Sequence, residues 1–176
     1  MDTKVGGIKN ILLAEDDPRD VELTMAALEE HALANRVTHV SDGEKALDYL
    51  YRRGEFKMRV EGNPILVMLD LKMPKVNGLE VLKIIKADTY LSIIPVVILS
   101  SSRETPDLAE CYKHGVNAYV VKPLDFEEFM MAIKRLGMFW AAVNEPPPLG
   151  LKQEPKLQID KAPFPEKETV RNDVPA

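Results

Sequence analysis

Cysteine is almost missing from this 176-residue chain: Cys111 stands alone and cannot close an internal disulfide, so a disulfide-stapled secreted scaffold is excluded and a reducing cytosol is expected. No apolar run approaches the roughly 20 residues that cross a bilayer, which argues against a membrane partner. The first ten residues, Met1 to Asn10, lack the basic-then-apolar layout of a secretory signal, and a cytoplasmic location is expected. Basic residues are outnumbered, 23 Lys and Arg against 28 Asp and Glu for a net charge of −5, which opposes attraction to phosphate backbones and argues against a nucleic-acid partner. No internal repeat is present. What remains is a composition of 45% hydrophobic and 29% charged residues, that of a globular chain long enough for one domain with extensions.

The apolar pattern alternates between strands and helices. Ile8, Ile11, Leu12 and Leu13 run into an acidic turn, Glu15-Asp16-Asp17, after which Pro18 opens a helix with Asp17 as its N-cap. Arg36 to Val40 reads as a second strand, and Ser41-Asp42-Gly43 turns it into a helix bearing Ala46, Leu47, Leu50 and Tyr51. Ile65 to Leu69 is an unbroken apolar run of the kind found in strands buried on both faces, capped by Asp70. A helix carrying Leu79, Val81, Leu82, Ile84 and Ile85 follows, then a strand from Pro95 to Leu99 and a helix opening at Thr105-Pro106 and stopping at Gly115. Ala118 to Val121 is the fifth strand, and Asp125 to Val143 reads as a long last helix. Five strands alternating with five helices predict an α/β fold, a doubly wound five-stranded parallel sheet with helices on both faces, over residues 8–143. From Asn144 to Ala176 the chain is rich in proline and charge, and this tail is expected to lack a packed core.

In such a sheet, ligands bind beyond the carboxyl ends of the strands. Strand one ends in Glu15-Asp16, strand three in Asp70, strand four in Ser100 and strand five in Lys122. Polar loop residues are ordinary one at a time, but three carboxylates, a hydroxyl and an ammonium at one edge are not. Clustered carboxylates repel unless a cation binds, and all-oxygen ligands favour a hard divalent ion. An Asp beside such an ion can attack a phosphoryl group while the ion and a lysine neutralise the oxygens.

These motifs closely resemble the CheY-like response regulator receiver family. The matching pieces are Ile11 to Pro18, Met68 to Pro74 with Asn77-Gly78, Ile98 to Ser101, and Tyr119 to Pro123. The resemblance implies that Asp70 is the phosphoacceptor and that Glu15, Asp16, Asp70 and the backbone carbonyl of Lys72 hold Mg²⁺, or Mn²⁺ or Ca²⁺, with Glu15 acting through water. It also implies that Lys122 binds the phosphoryl group ahead of a cis proline at Pro123, that Ser100 and Tyr119 form a switch pair, and that a histidine kinase is the phosphodonor. The implied product is a single-domain regulator, not an enzyme beyond its own phosphoryl transfer and slow dephosphorylation.

A narrower likeness, to the small cyanobacterial regulators associated with phytochrome-type kinases, rests on Tyr51 to Phe56 through Gly62-Asn63-Pro64 and on Gly137-Met138-Phe139-Trp140. It implies a phytochrome as the kinase and a homodimer anchored by Phe139 and Trp140. A haloacid dehalogenase-type phosphatase would need an acid two residues after the nucleophile, where Lys72 stands. A pseudo-receiver would lack part of the acceptor set, and a transcription factor would need a helix-turn-helix segment that the tail does not offer. Cys111 reads as a core residue. His31, His39 and His114 lie on separate elements and suggest no metal site, and Gly6-Gly7 stands on the wrong side of the first strand for a nucleotide loop.

Overall fold

The computed structural model describes residues 10–29, 36–60 and 62–145. Ile8, Gly6-Gly7, His31 and the tail from residue 146 onward lie outside the described residues. The elements alternate as β1 (Ile11–Ala14), α1 (Pro18–Glu29), β2 (Val37–Val40), α2 (Gly43–Tyr51), β3 (Leu66–Asp70), α3 (Gly78–Ala87), β4 (Val96–Ser100), α4 (Thr105–Lys113), β5 (Ala118–Val121) and α5 (Phe126–Met138). All strand pairs are parallel, in the order β2-β1-β3-β4-β5, which makes this the doubly wound α/β sheet that the sequence predicts.

The unbroken apolar runs in β1, β3 and β4 are explained by their two neighbours, one on each face. Ile11 and Leu13, Leu66 and Met68, and Val97 and Leu99 point to one face, where they meet Ala27 and Leu28 of α1 and Phe129 and Ile133 of α5. Leu12 and Ala14, Val67 and Leu69, and Val96 and Ile98 point to the other, against Leu47 and Leu50 of α2 and Val81, Leu82 and Ile85 of α3. The period-2 alternation of a strand thus feeds two separate cores. Each large side chain fully buried this way contributes about 1.5–3 kcal/mol, so the sheet centre is the stable frame from which the loops project. Cys111 is buried in the second of these cores, as its sequence context suggests.

The chain turns back at the β1/β3 boundary, and a crevice opens there beyond the strand ends. Caps fix the helices that border it. Asp17 Oδ1 accepts from the Arg19 N–H at 2.8 Å, Asp42 Oδ1 from Lys45 N–H at 2.8 Å, and Asn77 forms a reciprocal capping box with Glu80. Two glycines permit close approach of backbone segments. A Cβ on Gly78 would lie 2.2 Å from the carbonyl oxygen of Asp70, and one on Gly43 would lie 2.0 Å from that of Val76. The loop from Leu71 to Asn77 is therefore pressed between β3 and the start of α2, held further by Lys75, whose Nζ lies 3.0 Å from both Asp42 and Glu44 carboxylates.

Two expectations change. The last helix is α-helical only to Met138; Phe139–Val143 is a π-helical turn in which the Asn144 N–H donates to the Phe139 carbonyl at 2.7 Å. The wider turn rephases the helix end, so that Trp140 lies against the α1/α5-side core while Phe139 stays 48% exposed. The expected cis bond before Pro123 is absent: no cis peptide occurs among the described residues, and Lys122–Pro123 adopts the trans form that is intrinsically favoured even before proline. No helix among the described residues is long and apolar enough to cross a membrane.

Candidate functional site

At the carboxyl edge the sequence-predicted residues converge around one ammonium. Lys122, one residue past β5, reaches back across the sheet so that its Nζ lies 2.6 Å from Glu15 Oε2, 2.6 Å from Asp20 Oδ2 and 2.7 Å from Asp70 Oδ1. Its side chain is 10% exposed, that of Asp70 10% and that of Glu15 only 2%, so the pairs with Glu15 and Asp70 are shielded from solvent. Burial alone would pull the ammonium below its ordinary value; hydrogen bonds to Asp20, Asp70 and Glu15 outweigh that and hold it above the usual lysine range.

Asp70, the last residue of β3, has its second oxygen fixed by the Lys72 N–H at 2.6 Å. The reach of this bond places Lys72, the residue that the resemblance assigns to metal binding, directly beside the Asp70 carboxylate. Glu15 is held by the Asp17 N–H at 3.2 Å, and its own carbonyl accepts from His39 Nε2–H at 2.8 Å. Asp16 is exposed.

One oxygen from each of Glu15, Asp16 and Asp70 lies within 4.8 Å of the other two. An octahedral ion with oxygens at about 2.0–2.1 Å separates any pair by no more than about 4.2 Å, so a small inward movement suffices to ligate a hard cation. The donor chemistry agrees: Glu15, Asp20 and Asp70 share the Lys122 ammonium and Asp16 lies beside two of them, so that with these four carboxylates ionised the ammonium leaves three of their negative charges uncompensated. The site fits a divalent metal.

Ser100, the buried last residue of β4, accepts from the Ser102 N–H at 3.0 Å, and the half-buried Tyr119 of β5 donates its hydroxyl to the Ser102 carbonyl at 3.2 Å. The two residues of the expected switch pair thus meet through Ser102, whose hydroxyl in turn donates to Asp107 Oδ2 at 2.8 Å. Burial raises the Tyr119 hydroxyl above its ordinary value, so it is a donor at neutral pH.

Phe139 and Trp140 lie far along the chain from this cluster, at the other end of α5, with their rings edge to face at 5.1 Å. Sequence reasoning missed Asp20 and Ser102. Asp20 sits in the first turn of α1, an ordinary place for an acid that gives no sign of its partner; Ser102 is a polar loop residue with no signal of its own.

Comparison with known proteins finds relatives in sequence and in fold. Residues 11–134 match the response regulator receiver domain model. Response regulator Rcp1 of Synechocystis sp. is 33% identical over 132 residues, 75% of this chain and 88% of Rcp1. The Mn(2+)-bound form of Rcp1 superposes with a TM-score of 0.74 over 80% of this chain and 99% of that one, at 31% identity. The phosphorylated cyanobacterial phytochrome response regulator RcpA superposes with a TM-score of 0.75 at 36% identity, over 80% and 99% of the two chains. The bacteriophytochrome response regulator RtBRR is 58% identical with a TM-score of 0.64, covering 80% of this chain and 85% of that one.

The electrostatics generate a pH prediction. Burial pushes the Glu15 carboxyl up to about 7, with Lys122 opposing and Asp70 adding to the rise. Between its ordinary 4.5 and about 7 the fold keeps a proton on Glu15 that the unfolded chain has lost, so this group's contribution to cation-free stability falls as pH rises through that window and is level above it. A dication competes with that proton. Its affinity, measured by calorimetry, is expected to rise severalfold from about pH 6 to about pH 8, and Glu15→Gln should flatten the rise. A wild-type affinity independent of pH would contradict this electrostatic account.

Proposed function

Because this chain belongs to the response regulator receiver family, we propose that it accepts a phosphoryl group from a histidine kinase on Asp70 and signals by a conformational switch and protein contacts. It is a response regulator homologous to Rcp1 and RcpA, and a receiver domain implies a histidine kinase partner. The observation that carries the assignment of Asp70 is its position: a carboxylate at the end of the central strand, 2.7 Å from a buried lysine and grouped with two further acids.

In this reading Asp70 Oδ attacks the phosphorus in line while the P–N bond to the kinase's phosphohistidine breaks and the imidazole nitrogen departs with the electron pair. Lys122 stays protonated and neutralises charge on the transferred group, and the Ser100 hydroxyl turns from Ser102 to donate to a phosphoryl oxygen. Glu15, Asp16, Asp70 and the Lys72 carbonyl would hold Mg²⁺, with Mn²⁺ as a substitute in keeping with the Mn(2+)-bound Rcp1 structure. The ion supplies charge neutralisation and orientation of the phosphoryl oxygens. Loss of the Ser100 contact frees the Ser102 backbone, to which the Tyr119 hydroxyl is tied, so the acceptor state would reach β5 and the adjoining helices.

The kinase is proposed to be of phytochrome type, supported by the likeness to RcpA and RtBRR. A homodimer is proposed through the end of α5, where Met131, Met138, Phe139 and Val143 expose apolar surface. Phe139 is the outward anchor, and Trp140, half-buried on its own core, backs it by edge-to-face contact.

Acetyl phosphate with Mg²⁺ should add one phosphoryl mass to the protein; Asp70→Asn or excess EDTA should abolish it. A label that survives either change would refute the acceptor assignment. Sedimentation should show a wild-type dimer at micromolar concentration, and Phe139→Ala, removing two anchors per dimer worth roughly 2 kcal/mol each, should shift it to monomer with labelling of Asp70 intact. A mutant that still dimerises would rule out this interface.

A further inference from the structure

The third partner of Lys122 has no place in the acceptor chemistry as described. An ammonium has three hydrogens; here it donates to Glu15 and Asp20 at 2.6 Å each and forms a third ion pair with Asp70 at 2.7 Å. A phosphoryl group arriving on Asp70 needs one of those hydrogens.

We propose that Asp20 is a positioning residue that holds Lys122 before phosphorylation and competes with the phosphoryl group for it, so that Asp20 sets how tightly the acceptor retains that group. The proposal rests on the reading of Asp70 as phosphoacceptor. When a bond forms between Asp70 Oδ and phosphorus, the bond from phosphorus to the donor oxygen breaks and acetate, for acetyl phosphate, leaves with the electron pair. No proton moves, and Lys122 remains an ammonium. The Asp70 carboxylate loses its charge, while the phosphoryl oxygens bring roughly two negative charges to the same spot.

The side of the ammonium that faced Asp70 turns to the phosphoryl group, and the larger charge there draws Lys122 away from one of the other two carboxylates. Glu15 is 2% exposed, is tethered through its second oxygen by the Asp17 N–H, and has no solvent to replace a lost ion pair. Asp20 is 29% exposed and sits on the first turn of α1, so water can take over its hydrogen bond when Lys122 turns away. The geometry therefore makes Asp20 the partner that is given up. Its charge stays close by, and repels the phosphoryl group across the lysine for as long as the acyl phosphate lasts.

Neutralising Asp20 while keeping its shape should strengthen phosphoryl binding, a direction that mere structural damage would not produce. Beryllofluoride, which mimics the aspartyl phosphate, is titrated into the full chain at saturating Mg²⁺, so that any change in metal affinity drops out. Asp20→Asn is expected to bind it roughly tenfold more tightly than wild type, the equivalent of about 1.4 kcal/mol, and to lengthen the lifetime of the acetyl phosphate label. Asp20→Ser, also neutral, should move the same way, and Asp20→Glu should stay near wild type. Thermal melts confirm that each variant is folded. Folded Asn and Ser variants that bind beryllofluoride no better than wild type overturn the role of Asp20. Failure of the wild type to bind it, or binding that survives Asp70→Asn, overturns instead the acceptor assignment on which the role depends.

Discussion

Everything at the carboxyl edge of this sheet is arranged around one buried ammonium. Leaving a carboxylate such as Glu15 unpaired away from water costs several kcal/mol, and Lys122 is what offsets that cost for three acids at once. The arrangement needs the strand order it has. Glu15 follows β1, Asp70 ends β3, and Lys122 follows β5, so the lysine spans β4 to reach its partners, passing over Ser100 at the end of that strand. Two cores with strictly alternating strand residues supply the rigidity on which such spacing depends. The close approach at Gly78 fixes the end of β3 in the same way, because no side chain fits between α3 and the Asp70 carbonyl.

The ammonium does not balance the site. With all four acids ionised a deficit of positive charge remains, and this deficit is a physical reason for a cation and a transferable anionic group to bind side by side. The loop from Leu71 to Asn77, pinned through Lys75 to Asp42 and Glu44, brings the Lys72 backbone to the Asp70 carboxylate. On the opposite side, Ser102 joins Ser100 to Tyr119, a short hydrogen-bonded link from the end of β4 to the edge strand.

Much of this was legible in the sequence. Runs such as Leu66 to Leu69 and Val96 to Leu99 are apolar without interruption because each residue meets one of two cores, and that pattern alone implies a parallel sheet. Strand ends then bring Glu15, Asp70, Ser100 and Lys122 to one edge. Asp20 was hidden because its partner is 102 residues away and the contact exists only once β5 is in place. Ser102 was hidden because its role is played by backbone groups that any residue has. The π-helical turn after Met138 reflects packing of Trp140 on the core, a tertiary preference that helix periodicity does not encode.

The claim that charge compensation by Lys122 organises the site is tested most directly by the stability of Lys122→Met, measured by urea unfolding without divalent cations and again with saturating Mg²⁺. The account predicts a loss of about 3 kcal/mol without the cation, since a ion-pairing partner is removed from buried acids, and recovery of much of that loss when Mg²⁺ binds. A variant as stable as wild type without Mg²⁺, or a loss that Mg²⁺ does not reduce, would contradict it.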